Sequence, residues 1–301
     1  MATTDLSRFA IPGVLKFEPG EGGLTRAAIT TPQADAHVYL HGAHVTHYHP
    51  HNQAPLLFMS AKSQFAAGKP IRGGVPVCFP WFGPKKDDAA APAHGFARLM
   101  EWNVESTAKA DDGSVQLVLS LGSDDATRKA WPHDFRNTFT VTIGSELRLS
   151  LEVRNTGRDA FTFEEALHTY FVVGDIHKVS IDGLEATDYI DKVGGATRRN
   201  QGPQPITFTG ETDRVYLNTK ATAVAHDVAG GRNISVAKSG SDATVVWNPW
   251  IAKAKAMRDF GDDEWPGMLC IETCNVADCA VKLDAGKAHT MTAVIRAEAR
   301  R

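Results

Sequence analysis

The hydrophobic residues of this chain come in short runs rich in β-branched side chains, each bounded by Gly, Asn, Asp or Pro. That pattern limits the chain to strands. Strands are expected near residues 36–40, 45–48, 102–106, 115–121, 136–143, 146–155, 161–173, 179–182, 223–227, 234–238, 243–247, 268–273, 280–283 and 289–296. Asp112-Gly113, Gly144-Ser145 and Asn155-Thr156-Gly157 read as hairpin turns. Helical spacing is scarce: one short helix is expected over 123–131, with Ser123 as its N-cap. Without βαβ alternation a doubly wound fold is disfavoured. The expected fold is all-β, a large antiparallel β-sandwich.

The 301 residues are 43% hydrophobic and 22% charged, enough for a sizeable core. Strand signals continue on both sides of the loops at 85–93 and 194–205, so these read as insertions and residues 1–301 as one domain. The loop at 85–93 is expected to be mobile. A net charge of −3 gives no general attraction to nucleic acid or anionic membrane, so an anion site must come from a local arginine cluster. No stretch has the roughly 18 apolar residues of a membrane span, and the N-terminus lacks a signal pattern. The expected protein is cytoplasmic, with reduced thiols, and monomeric.

Nucleophile elbow, Walker and dinucleotide-binding motifs are absent. His41, His44, His47, His49 and His51 crowd together, and the last three would share a strand face. With no cysteine or carboxylate nearby in sequence, they are read as a solvated strand end rather than a metal site. Cys270, Cys274 and Cys279 do not match a zinc-knuckle spacing and are read as buried, inert thiols.

Three segments put charge into apolar surroundings. In EEALHTYFVV (164–173), read as one strand, the even positions present His168 and Tyr170 to one face. In MLCIETCN (268–275), Glu272 shares a face with Cys270 and Cys274. A carboxylate there is costly unless paired or functional, and burial raises its basicity. The third feature is a pair of loops, IRGGVPVCFPWFGP (71–84) and AHGFAR (93–98), each with one arginine beside glycine. Two guanidinium forks suit a phosphate dianion. A histidine satisfied by a carbonyl, a glutamate paired with arginine and two solvated arginines are the structural alternatives.

The motifs RGGVPVCFPWFGP, HGFAR, ALHTYF, ETDRVY, WNPW and IETCNV, in this order, resemble the hexose-6-phosphate mutarotases, or glucose-6-phosphate 1-epimerases, of the galactose-mutarotase-like group. The resemblance implies a large β-sandwich with an open cleft, no metal and no cofactor. It implies a catalytic pair at His168 and Glu272 and substrate-binding residues at Arg72, Arg98 and Asp213. His94 is a further candidate for contact with the sugar, and Trp247 or Trp250 for stacking on it. Relatives often carry glutamine where this chain has Ala93. The implied reaction interconverts the α and β anomers of a hexose 6-phosphate: Glu272 takes the proton of the C1 hydroxyl, His168 protonates the ring oxygen, and the roles swap on reclosure. A non-catalytic sugar-phosphate binder would keep the arginines but would not need both His168 and Glu272.

Overall fold

The computed structural model describes residues 5–300. Antiparallel strands dominate it, in two large sheets and two small ones. The first four strands, Leu15–Pro19, Thr25–Thr30, Ala34–Tyr39 and His44–Pro50, form a meander. A nine-stranded sheet runs Ile206–Thr207, Val179–Asp182, Ala223–Asp227, Arg232–Ser239, Ala288–Ala299, Leu147–Asn155, Phe135–Ile143, Val115–Gly122, Asn103–Lys109. Period-two patterning builds it: in Leu147–Asn155 the residues Leu147, Leu149, Leu151 and Val153 are buried, while Arg148 and Arg154 between them stay exposed.

An eight-stranded sheet carries the site. Its order is Thr197–Asn200, Asp188–Asp191, Thr212–Leu217, Ala243–Asn248, Met268–Asn275, Glu165–Leu167, Val77–Cys78, with Tyr170–Val172 also paired to Met268–Asn275. Its central strands Ala243–Asn248 and Met268–Asn275 are buried along their whole length, so both faces are covered. The nine-stranded sheet packs against one face, and loops crowd onto the other.

Several sequence expectations change. Residues 161–173 are not one strand but three, Phe161–Phe163, Glu165–Leu167 and Tyr170–Val172. The first leaves the eight-stranded sheet to pair with Val281–Leu283. The short helix is Asp125–Ala130 and its cap is Asp124, not Ser123. The Asp124 carboxylate accepts from Thr127 N at 2.7 Å and Thr127 Oγ1 accepts from Asp124 N at 2.8 Å, a reciprocal box. A second helix, Trp250–Ala256, was not anticipated, because seven residues without a side-chain cap leave almost no periodic signal. The 194–205 loop contains the strand Thr197–Asn200, hairpinned onto Asp188–Asp191.

The histidine-rich stretch is only partly solvated. His41 and His44 are buried, with Nε2 of each 2.7 Å from a backbone carbonyl, Lys69 O and Gly73 O respectively. Burial lowers the His44 pKa to about 3, so it is a neutral core histidine. Cys270 and Cys274 are buried as expected, and Cys78 is buried too, whereas Cys279, expected to be buried, is partly exposed. No helix among the described residues is long and apolar enough to cross a membrane.

Candidate active site

The site begins with strand register. Leu167 pairs with Thr273, and Tyr170 with Cys270. The same register holds on both sides of the break at His168–Thr169, so His168 stands directly opposite Glu272. Cross-strand neighbours on one face touch, and His168 Nε2 lies 3.3 Å from Glu272 Oε1. On the other side Val245 is opposite Glu272, Trp247 opposite Cys270, and Asp213 opposite Trp247. Thus Asp213, Val245, Trp247, His168 and Glu272 share one sheet face.

Loops complete a cleft of about 400 Å³ over that face. Arg72, Phe82, Gly83, Pro84 and His94 come from either side of the strand Val77–Cys78, and Lys192 follows Asp188–Asp191. Lys253 and Met257 come from the helix Trp250–Ala256 and the residue after it. Glu164 pins one wall, accepting from Phe82 N at 2.8 Å and Ala277 N at 2.7 Å. His94 and Gly95 both have left-handed backbone, φ 64° and 73°. A Cβ at residue 95 would overlap the Phe79 carbonyl oxygen, so only glycine fits that turn.

Five of the six expected residues line this cleft: Arg72, His94, His168, Asp213 and Glu272. Arg98 is not in the lining. It is 7% exposed, donates from Nη2 to Ala93 O at 2.8 Å, and its Nε has no partner. Neither arginine is solvated. Arg72 is committed on three sides, donating from Nε and Nη2 to Asp259 at 3.2 and 3.0 Å and from Nη1 to Tyr170 Oη at 2.8 Å. Trp247 faces the cleft, whereas Trp250 packs on Trp265 with ring centroids 4.3 Å apart.

Sequence reasoning missed Lys192, whose Nζ stands 5.2 Å from the Phe82 ring centroid, and Asp259. Lys192 follows a strand too short to give a pattern. Asp259 meets Arg72 across 187 positions.

Burial sets the proton inventory. It raises the Glu272 carboxyl well above the usual range, reinforced by Asp213 and opposed by Lys192 and Arg98. It drives His168 well below its ordinary value, with Arg72 and Arg98 adding to the effect. Both shifts oppose a resting ion pair across the 3.3 Å contact. His168 also stacks on Tyr170, centroids 4.8 Å apart at 10°. Burial depresses His94 too, with the Arg98 charge adding to it. Gly83 N donates to His94 Nδ1 at 3.3 Å, leaving the single ring proton on Nε2. Asp213 is raised by burial, which Lys192 and Lys253 partly offset. One wall thus holds a proton donor and a proton acceptor, with cationic groups around them.

Comparison with known proteins places the chain in a family. Residues 26–296 match the aldose 1-epimerase family. A Salmonella typhimurium protein provisionally named glucose-6-phosphate 1-epimerase is 39% identical over 270 residues, 88% of this chain and 90% of its own. An Escherichia coli protein of the same provisional name is 38% identical over 275 residues, 90% of this chain and 91% of its own. The crystal structure of a provisionally assigned mutarotase, YeaD of Salmonella typhimurium, superposes with a TM-score of 0.88 at 35% identity, covering 96% of this chain and 94% of that one. A galactose mutarotase-like protein of Clostridium acetobutylicum shares the fold at 14% identity, with a TM-score of 0.72 over 95% of this chain and 98% of that one. This chain therefore belongs to the aldose 1-epimerase family, isomerases that interconvert sugar anomers on a galactose-mutarotase-like β-sandwich.

Proposed function

We propose that this protein interconverts the α and β anomers of a hexose 6-phosphate, glucose 6-phosphate foremost, with residues 1–301 acting as one domain. The observation that carries the reading is the His168–Glu272 contact at 3.3 Å in a cleft that also holds Arg72 and Lys192. The relatives' provisional names support the substrate.

Mutarotation needs one proton removed from the anomeric hydroxyl and one delivered to the ring oxygen. The ring opens, C1–C2 rotates, and the aldehyde recloses on its other face. The pair holds a single proton for this exchange. Burial favours that proton on Glu272 over His168. A transfer across 3.3 Å gives carboxylate and imidazolium with no net charge change; Lys192 and Arg98 favour the carboxylate, whereas Arg72 and Arg98 oppose the imidazolium. Glu272 then accepts from the C1 hydroxyl and His168 donates to the ring oxygen. On reclosure the roles swap. Asp213 accepts from sugar hydroxyls, and His94 Nε2–H donates to an oxygen.

Arg72 and Lys192, which line the cleft, form the phosphate end, with Arg98 outside the lining adding positive charge. Asp259 already neutralises much of the Arg72 charge, so Lys192 supplies a cation that the two-arginine reading lacked. Arg72→Ala and Lys192→Ala should each raise KM for glucose 6-phosphate by roughly tenfold or more, the cost of a lost hydrogen bond to a charged group. Weak turnover of free glucose should change little. Initial rates on both sugars check this, and an unchanged KM for glucose 6-phosphate in both variants would remove the phosphate end.

The pH profile follows from the same groups. With one proton on the pair, kcat falls as pH rises through the Glu272 pKa, which lies well above the usual carboxyl range. The Asp213 charge contributes to that elevation, so Asp213→Asn should move the alkaline limb to lower pH. A limb that stays in place, or moves up, would contradict it. Anomer exchange by NMR from freshly dissolved α-glucose 6-phosphate, corrected for spontaneous exchange, tests the reading as a whole. A rate indistinguishable from the spontaneous one would favour a binding protein.

A further inference from the structure

Among the described residues, neither sequence cluster by itself brings three ligand atoms together. Among the described residues the only group of three His, Cys, Asp or Glu side chains with mutually close ligand atoms is His168, Cys270 and Glu272, all within 4.8 Å of one another and all buried. The strands dictate this. Cys270 and Glu272 are two apart on one strand and share a face, and His168 stands opposite the second of them.

We infer that these three side chains form an inhibitory site for a thiophilic divalent cation, Zn²⁺, which stops turnover by occupying the acid–base pair. Tetrahedral zinc with bonds of about 2.0–2.1 Å to nitrogen and oxygen sets those two donors about 3.3 Å apart. His168 Nε2 and Glu272 Oε1 are 3.3 Å apart. The sulfur must close in, since a tetrahedral site sets N···S near about 3.6 Å and the group spans up to 4.8 Å. His168 and Glu272 line the cleft and Cys270 does not. The thiol therefore closes the buried side, and the fourth position faces the cleft, open to water.

Charge balances in the interior. A dication with one thiolate, one carboxylate and a neutral imidazole has no net charge, so burial does not oppose the complex as it opposes a lone ion. The Cys270 thiol proton and the Glu272 carboxyl proton leave to solvent as the Zn–S and Zn–O contacts form, with no change of oxidation state.

Chelator-treated protein titrated with Co²⁺, a spectroscopic stand-in for zinc, should bind one ion per chain with thiolate-to-cobalt charge-transfer absorption. Zn²⁺ should displace it. Zn²⁺ at low micromolar levels should arrest anomer exchange, and a chelator should restore it. Cys270→Ser should abolish the charge-transfer band and weaken Zn²⁺ binding at least tenfold, and His168→Asn should weaken it similarly. X-ray absorption of the zinc-loaded, unmodified chain should show one sulfur ligand, a readout that needs no variant. Zero sulfur ligands, a band that persists in Cys270→Ser, or no stoichiometric binding would each overturn the site. Cobalt absorption reads binding without turnover. A protein that bound cobalt here yet lacked epimerase activity would sink the functional reading and leave the metal site standing.

Discussion

Glu272→Gln should lower anomer exchange of glucose 6-phosphate at least about a hundredfold while the fold persists, and His168→Asn should do the same, the usual contribution of a positioned acid or base being about 10²–10⁴. Glutamine fills nearly the same volume but cannot carry the shared proton, so one half of the exchange has no acceptor. His168→Asn removes the Nε2 that meets Glu272 at 3.3 Å and the ring that stacks on Tyr170. Exchange rates by NMR, with circular dichroism to verify the sheets, check both. Turnover within about threefold of the parent in either variant would remove that residue from the mechanism.

The second large effect falls on stability. Arg232 is 3% exposed and knits the two large sheets together. Its Nη1 donates to Ala54 O at 2.9 Å and Pro55 O at 3.2 Å, and its Nη2 to Val172 O at 2.6 Å and Pro55 O at 3.3 Å. Its Nε lies 3.8 Å from the fully buried Asp227 carboxylate, which accepts from Gly174 N and Gly230 N. Removing the guanidinium leaves a buried charge and three carbonyls unpaired. Arg232→Ala should cost about 3–5 kcal/mol, the range for breaking a buried ion pair on one side. Urea unfolding measures it. A loss below about 1 kcal/mol would mean that water replaces the guanidinium there.

Much of this arrangement was legible in the sequence, for reasons that differ by residue. Period-two patterning put His168 and Tyr170 on one face and Cys270 with Glu272 on one face, and the register makes those faces the same. The break at His168–Thr169 was not legible. Nothing between Leu167 and Tyr170 disfavours a strand, and the chain turns there because His168 N donates to Pro76 O and Tyr170 N to Gly74 O across the loop 73–76. The arginine loops were legible from an arginine beside glycine in each. Their partners were not. Asp259 reaches Arg72 only through the helix Trp250–Ala256, 187 positions along the chain. Contacts between segments far apart in sequence leave no local trace.

Glu272 sits on Met268–Asn275, buried along its whole length, with hydrogen-bonded neighbours on both flanks. No hinge separates the reactive carboxyl from the interior of the molecule, so heat cannot melt the one and spare the other. Activity and sheet content should disappear at the same temperature, unlike enzymes whose reactive groups ride on flexible loops and fade long before the scaffold gives way.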